Sequence, residues 1–415
     1  MCRYETMEVS RKGRIGADVN GKAMNVLSVF DGMSCGQIAL TEIGVKIDRY
    51  YAAEIDKHAI KLTQHNFPGT VQLGDVTKWQ QWDIDWEGID LFLGGSPCQG
   101  FSFAGKQLAF DDPRSKLFFV FVDIWNHIKK HNPNAHFLLE NVRMKHDHEA
   151  VITRFMGVHP ITINSALVSA QNRVRLYWTN IANEPYGLFG DMRCMIEQPQ
   201  DRGILLRDVL ESDVDDKYYL SEKMINGFLK HNQTHKERGN GFTWSPSKGN
   251  KKANCVVSRC YKMGVDDNYI ITHSLQPQQG KGVGGKGHLK KTDQKTYCLD
   301  TGNSQAIEFL NDRIGGFSIN ERGVRPHRGD EKKTGISELG TIIYDNQKTD
   351  THLTKHVQKF IQHGRIRRLT PLECQRLQTV PEWYDMTVVS DTQRYRALGN
   401  GWTVDVIIHI LKHIQ

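Results

Sequence analysis

The chain of 415 residues has no apolar run close to the roughly 20 residues that a membrane span requires. An integral membrane protein is therefore not expected. Its opening, Met1-Cys2-Arg3-Tyr4-Glu5, has no apolar core of a secretory signal. Residues 1–23 are polar and read as a loose leader, and the expected setting is cytoplasmic. There are eight cysteines but no C-x-x-C pair. Without a signal they are expected as free thiols in a reducing compartment. Cys255 and Cys260 stand five apart near His273, but a second ligand pair is missing, so no metal site is expected. The first glycine-containing loop, Asp31-Gly32-Met33-Ser34-Cys35-Gly36, is not G-x-G-x-x-G and is not followed by Gly-Lys-Ser/Thr. Neither a dinucleotide pyrophosphate cradle nor a triphosphate cradle is evident.

What is present fits a folded protein with two domains. Hydrophobic content is 39% and charged content 24%, ordinary for a globular chain. The net charge of +7 is concentrated: residues 231–300 hold twelve Lys/Arg and five Asp/Glu, and the rest of the chain is neutral. That basic, glycine-rich stretch, with Lys251 and Lys252 in it, fits a surface that meets phosphate backbones. A solvated, flexible face is the plainer explanation of an isolated basic run.

Residues 24–182 alternate apolar strands with helical stretches. Strands are expected at 25–30, 49–54, 70–73, 89–94 and 137–142, and helices at 37–43, 57–65 and 117–129. Such alternation predicts an α/β fold with a mostly parallel sheet covered on both faces. From 183 to 364 the chain turns to Gly, Asn, Lys, Gln and Thr with short strand-like pieces such as 255–257 and 341–344. A smaller, irregular second domain of short strands and loops is expected there. Order returns at 365–415. Val404, Ile407, Ile408 and Leu411 mark an amphipathic helix expected to lie back on the first domain.

The chemistry-bearing residues sit at expected strand ends. Cys98, in Gly95-Ser96-Pro97-Cys98-Gln99, follows the strand at 89–94. Glu140 ends the strand at 137–142, and Gln171-Asn172-Arg173-Val174-Arg175 adds two cations. Each alone has an ordinary explanation: a buried thiol, a capping acid, a strand surface. Together they suggest nucleophilic attack on a ring that must be protonated and held. Glu54 ends the second strand 22 residues after Gly32, where an acid can bind ribose hydroxyls. Asp75 ends the third and can accept from an adenine amine. An adenosine cofactor without polyphosphate fits S-adenosylmethionine better than ATP or NAD.

Phe30-Asp31-Gly32, Glu54, Asp75, Pro97-Cys98-Gln99, Glu140-Asn141-Val142, Gln171-x-Arg173-x-Arg175, Arg368-Leu369-Thr370-Pro371-x-Glu373 and Leu398-Gly399-Asn400-Gly401-Trp402 occur in this order. In residues 24–180 and 365–415 the chain resembles the cytosine-C5 DNA methyltransferases. Phe-Asp-Gly in the first loop, and Gly-Trp after Asn400, are closer to the vertebrate de novo enzymes than to the bacterial pattern. The resemblance implies a Rossmann-like, S-adenosylmethionine-binding catalytic domain (24–182 with 365–415) and a target-recognition domain at 183–364. It implies a sequence-specific enzyme acting on double-stranded DNA as Cys98 attacks C6 of a flipped-out cytosine, with Glu140 on N3 and Arg173 and Arg175 on O2 and a phosphate. The cofactor is expected against Phe30, Asp31, Gly32, Met33, Glu54, Ile55, Asp75, Val76, Pro97, Asn400 and Trp402. DNA is expected against Gln99, Ser102, Arg114, Lys251 and Lys252, with residues 99–114 as a lid hinged at Gly100 and Gly105. A monomer in a bacterial or phage-infected cell, within restriction–modification, is the expected context. Two other readings stay open: a tRNA cytosine methyltransferase, whose usual Cys-Phe-Thr signature is not found, and a catalytically silent DNA-binding relative.

Overall fold

The computed structural model describes residues 23–96, 116–186, 191–239, 243–273 and 364–414, together with four short strands between 317 and 344. The chain divides into two compact units. The first takes residues 1–205, 254–262 and 371–415; the second takes 206–253 and 263–370. This division falls at 205 where the sequence suggested 182, and it gives a nine-residue piece of the middle of the chain to the first unit.

The first unit is built on β1 (Met24–Val29), α1 (Cys35–Glu42), β2 (Ile47–Ala53), α2 (Lys57–Asn66), β3 (Val71–Gln72), β4 (Ile89–Gly95), α3 (Lys116–His131), β5 (His136–Val142), α4 (His146–Met156), β6 (Val158–His159), β7 (Ile161–Asn164) and β8 (Val174–Thr179). Seven of these strands make one sheet in the order β3-β2-β1-β4-β5-β8-β7. The pairs from β3 through β5 are parallel, and β8 runs antiparallel to both β5 and β7. The apolar runs explain the burial: Val26, Leu27, Leu91, Phe92, Leu93, Leu138 and Leu139 have no exposed surface. A parallel strand covered on both faces needs such a continuous run, not an alternating one. In α3 the positions at helical spacing, Phe118, Phe121, Val122 and Trp125, are buried, and Phe121 stacks on Phe92 with ring centroids 4.3 Å apart.

Chain direction reverses outward from β1 on one side and β4 on the other. The carboxyl ends of these two neighbours therefore flank a topological switch point, where open α/β sheets form their crevice. The loop after β1 opens there, and β4 ends there at Gly95, just before Ser96.

Strands β9 (Asn183–Tyr186) and β10 (Asp191–Cys194) form a small sheet with β6. Helix Val404–Leu411 was expected to be amphipathic, but it is buried nearly all round: Val406 and Ile410 are inside along with Val404, Ile407 and Leu411, and it packs beside α1. No strand forms at 255–257.

The second unit contains α5 (Glu222–Arg238), a 17-residue helix where the sequence suggested only strands and loops. Ser221 caps it and Gly239, at φ 66°, ends it. Its composition hides it, because only Ile225, Phe228 and Leu229 reach the small core of Trp244, Tyr269 and Ile366. The remaining elements are β11 (Tyr269–His273), the hairpins β12 (Phe317–Asn320) with β13 (Gly323–Pro326) and β14 (Thr334–Ile336) with β15 (Ile342–Tyr344), and β16 (Gly364–Arg368), which pairs with β11. Residues 274–316, which include the last part of the basic stretch at 231–300, lie outside the described residues.

Candidate active site

At the carboxyl end of β5, Glu140 faces two partners. Arg175 Nε lies 2.9 Å from its Oε1, and Trp402 Nε1 donates to its Oε2 at 3.2 Å. Glu140 and Arg175 come together because β5 and β8 are antiparallel neighbours whose ends coincide. Both side chains are mostly buried, 12% and 15% exposed, so the pair is little screened by water. Next to it, β4 ends in Gly95, where a Cβ would stand 2.9 Å from Trp402 Nε1 and 3.1 Å from Glu140 Oε2. Only glycine leaves room for that pair. Asn141 Nδ2 donates to Ser96 Oγ at 3.1 Å, tying the end of β5 to the residue that leads into Pro97 and Cys98. Pro97, Cys98, Gln99, Ser102 and Arg114 lie outside the described residues.

Arg173 stands elsewhere. It is buried, and its Nη1 donates to Val256 O at 3.0 Å and Cys255 Sγ at 3.1 Å, while Nη2 donates to Gly401 O at 2.9 Å. Its guanidinium ties three segments together, and no atom of Glu140 is paired with it in the way that Arg175 is. Alongside, Gln171 Nε2 donates to Leu377 O at 2.6 Å and to Gln378 Oε1 at 2.9 Å, and its Oε1 accepts from Val256 N at 3.1 Å. Gln378 Oε1 also accepts from Thr403 Oγ1 at 2.9 Å. This satisfied buried network holds the approach to β8 against residues 377–403. Sequence reading missed Gln378 and Thr403, and weighed Cys255 only as a metal ligand. A lone polar residue in a turn or loop gives no signal until its partners are known.

The switch point holds the cofactor candidates. Glu54 Oε2 accepts from Gly32 N at 2.8 Å, and Oε1 accepts from Ile55 N and Asp56 N at 2.8 Å each. A carboxylate has about four acceptor positions, so three donors leave capacity for a ligand hydroxyl. Ile55 is 77% exposed, an unusual place for an isoleucine, and Phe30 is half-buried at φ 55°. Asp75 is exposed. Its Oδ1 accepts from Thr77 N at 2.9 Å and Thr77 Oγ1 at 2.8 Å, and these bonds hold the carboxyl below its ordinary value. It stays an acceptor. Asn400 is also exposed, at the end of helix Asp391–Asn400.

Three expected cofactor residues are turned inward. Val76 and Met33 are buried among apolar neighbours, and Met33 O accepts from Tyr384 OH at 2.8 Å. Asp31 accepts from Tyr50 OH at 2.9 Å and from Ser34 Oγ. Burial, first of all, pushes its carboxyl up to about 6. Asp31 therefore braces the loop from inside. That loop is strained, with Phe30, Gly32 and Ser34 all at positive φ (55°, 60° and 58°).

Among the described residues no helix is long and apolar enough to cross a membrane, and no group of His, Cys, Asp or Glu has the arrangement of a metal site.

Comparison with known proteins places this geometry. The family described as C-5 cytosine-specific DNA methylase matches residues 24–415. The orphan methyltransferase M.SPRI of Bacillus phage SPR is 27% identical over 94% of this chain and 97% of its own. The type II methyltransferase M1.ScrFI of Lactococcus lactis subsp. cremoris is 34% identical over 53% of this chain and 58% of its own. Among solved structures, the Entamoeba histolytica methyltransferase EhMeth has a TM-score of 0.57 at 14% identity, covering 95% of this chain and 98% of its own. The S. pombe Dnmt2 methyltransferase has a TM-score of 0.53 at 14% identity, covering 94% and 97%. These two share the fold. The match over nearly the whole chain makes it a member of the C-5 cytosine-specific DNA methylase family, a DNA (cytosine-5-)-methyltransferase with a mixed α/β fold.

Proposed function

We propose that the chain methylates C5 of a flipped-out cytosine at a specific sequence in double-stranded DNA, through a covalent bond from Cys98 to C6. The observation that carries this is the Glu140–Arg175 pair under Trp402, placed one strand from Ser96, where the chain runs on into Cys98. Carbon 5 of cytosine is a poor nucleophile. Addition of the Cys98 thiolate at C6 turns the ring into an enamine that can accept a methyl group at C5. Glu140, carrying a proton, donates to N3 as charge builds there, and Arg175 orients the carboxyl and reaches toward O2. Loss of the C5 proton and expulsion of Cys98 restore the ring. A stacked base cannot be reached this way, so the target leaves the duplex.

The residues at the switch point fit S-adenosylmethionine, which supplies an electrophilic methyl group when bound. Glu54 takes a ribose hydroxyl with its remaining acceptor capacity, Asp75 takes the adenine amine, and Phe30 and Ile55 cover the ring. Arg173 acts from behind by fixing the turn at 399–401. Target choice resides in the second unit, and the names of the relatives, type II and orphan methyltransferases, support a sequence-specific enzyme.

The test is transfer of labelled methyl groups to duplex DNA, to tRNA and to no acceptor, with Cys98→Ser alongside. Label is expected in DNA only, and in the wild type only. Wild-type protein should form a denaturation-resistant adduct with DNA containing 5-fluorocytosine. Label in tRNA, or an adduct unchanged in Cys98→Ser, would overturn the reading; DNA binding without transfer would mark a silent relative.

A further inference from the structure

Residues 254–262 come from between the two stretches of the second unit, yet they pack within the first. Their contact with the catalytic pair runs through one sulfur. Cys255 Sγ accepts from Arg173 Nη1 at 3.1 Å and from Arg175 Nη2 at 3.9 Å, and the same Arg175 presents Nε to Glu140 at 2.9 Å. The backbone next to the sulfur is anchored by both polar groups of one residue: Val256 N donates to Gln171 and Val256 O accepts from Arg173. Gly399 lets the segment approach closely, because a Cβ there would stand 2.1 Å from Ser258 N.

We propose that Cys255 is a positioning residue for methyl transfer: its sulfur holds the outer nitrogens of Arg173 and Arg175, and so fixes Arg175 against Glu140. The inference rests on the function proposed above. A guanidinium is a planar fork, and its charge-assisted bonds set its orientation. With Nε beside Glu140, Nη1 on Val174 O at 2.9 Å and Nη2 on Cys255, Arg175 is held at three points of the fork. Without the sulfur, the outer end keeps the Nη1 bond to Val174 O but loses the Nη2 contact, and Glu140 faces a less firmly fixed partner.

Chemistry marks this thiol off from its neighbours. Burial pushes it up, but the charges of Arg173 and Arg175 and the bonds from both outweigh burial, and it lies below the ordinary thiol value. Cys35, on α1 nearby, is pushed up to about 12 by burial and is inert. The charged and titratable groups around Cys255 are Arg173 and Arg175, with Glu140 on β5 and Tyr177 on β8 sharing the same arginines. Helix Asp391–Asn400 meets the segment through Gly399. Cys255 is partly exposed.

Two measurements on the full chain test the proposal. Cys255→Ala is expected to lower kcat on the order of tenfold, with KM for DNA and for S-adenosylmethionine changed by less than about twofold. Cys255→Ser should recover most of the loss, since a hydroxyl accepts from the same guanidinium groups. Separately, the rate at which iodoacetamide alkylates Cys255 is followed against pH by mass spectrometry of its peptide. The thiolate should appear at lower pH than an ordinary cysteine in the wild type, and at higher pH in Arg175→Leu. An unchanged kcat in Cys255→Ala overturns the proposal. So does a raised KM with unchanged kcat and a lower melting temperature, which is the signature of packing alone. If wild-type protein transfers no methyl group to DNA, the function proposed above fails, and the alkylation shift still decides whether Cys255 and Arg175 are coupled.

Discussion

Glu54 and Asp75 differ in how much of each carboxylate the protein itself uses, and that difference sets what each loses on truncation. Glu54 binds three backbone N–H groups, so Glu54→Ala removes a loop brace as well as a ligand anchor. Asp75 uses one oxygen for Thr77 only. Both alanine variants are expected to weaken S-adenosylmethionine binding by about 1–3 kcal/mol, the usual size of a lost charged hydrogen bond. Glu54→Ala should also lower the melting temperature, whereas Asp75→Ala should leave it nearly unchanged. Calorimetry and thermal unfolding of the two variants check this; unchanged affinity in both would mean that the crevice takes some other ligand. At this scale the sequence was informative about position: Glu54, Asp75, Glu140 and Arg175 stand at or beside strand ends, where their places in the apolar runs put them. For Asp31, Met33 and Val76 it did not give the direction of the side chain. Their neighbours in sequence sit at the crevice, but Tyr50, Tyr384 and the core draw these three side chains inward. Arg173 and Arg175 alternate on one strand approach and looked equivalent. Only the fold shows that one guanidinium reaches Glu140 and the other the 399–401 turn.

Among elements, the helix–loop contact at Gly399 is the most sharply constrained. A methyl group there would meet Ser258 N at 2.1 Å and Val257 C at 2.2 Å, and both are backbone atoms that cannot rotate away. Gly399→Ala must therefore push residues 254–262 off the helix. A loss of about 1–3 kcal/mol is expected from such overpacking, read as a lower melting temperature together with faster alkylation of Cys255. A variant with wild-type melting and wild-type alkylation would show that the segment does not rest on Gly399. Sheet strands and the helices that cover them were legible because buried parallel strands need continuous apolar runs. Helix α5 was not, because a helix that buries Ile225 and only half-buries Phe228 and Leu229 carries little periodicity. The loop at 254–262 was not either: Cys255-Val256-Val257 reads as a strand, but its polar backbone groups are taken by Gln171 and Arg173 in place of a ladder.

At the scale of the whole molecule, charge and topology have separate consequences. The net charge of +7 equals the excess within residues 231–300, so one stretch of chain accounts for the protein's attraction to polyanions. DNA affinity is expected to fall with salt at a log–log slope near −0.9 per neutralised phosphate. Lys251→Ala with Lys252→Ala should flatten that slope by up to about 2 and weaken cognate and unrelated duplexes alike. A changed site preference with an unchanged slope would assign these lysines to base reading. No change in either would make the basic stretch a solvated face.

The catalytic unit is discontinuous along the chain, and that has a bearing on how it is made. Ser165 bonds Thr403 across 238 positions, Gln171 bonds Gln378 across 207, and Tyr384 bonds Met33 across 351. Contacts of such high sequence separation form late and slowly. During synthesis, β4 and β5 leave the ribosome before Trp402 can cover their catalytic ends, and α1 before the helix Val404–Leu411 that packs on it. For all that time the nascent chain carries an uncapped sheet, the state in which chaperones bind and misassembly starts.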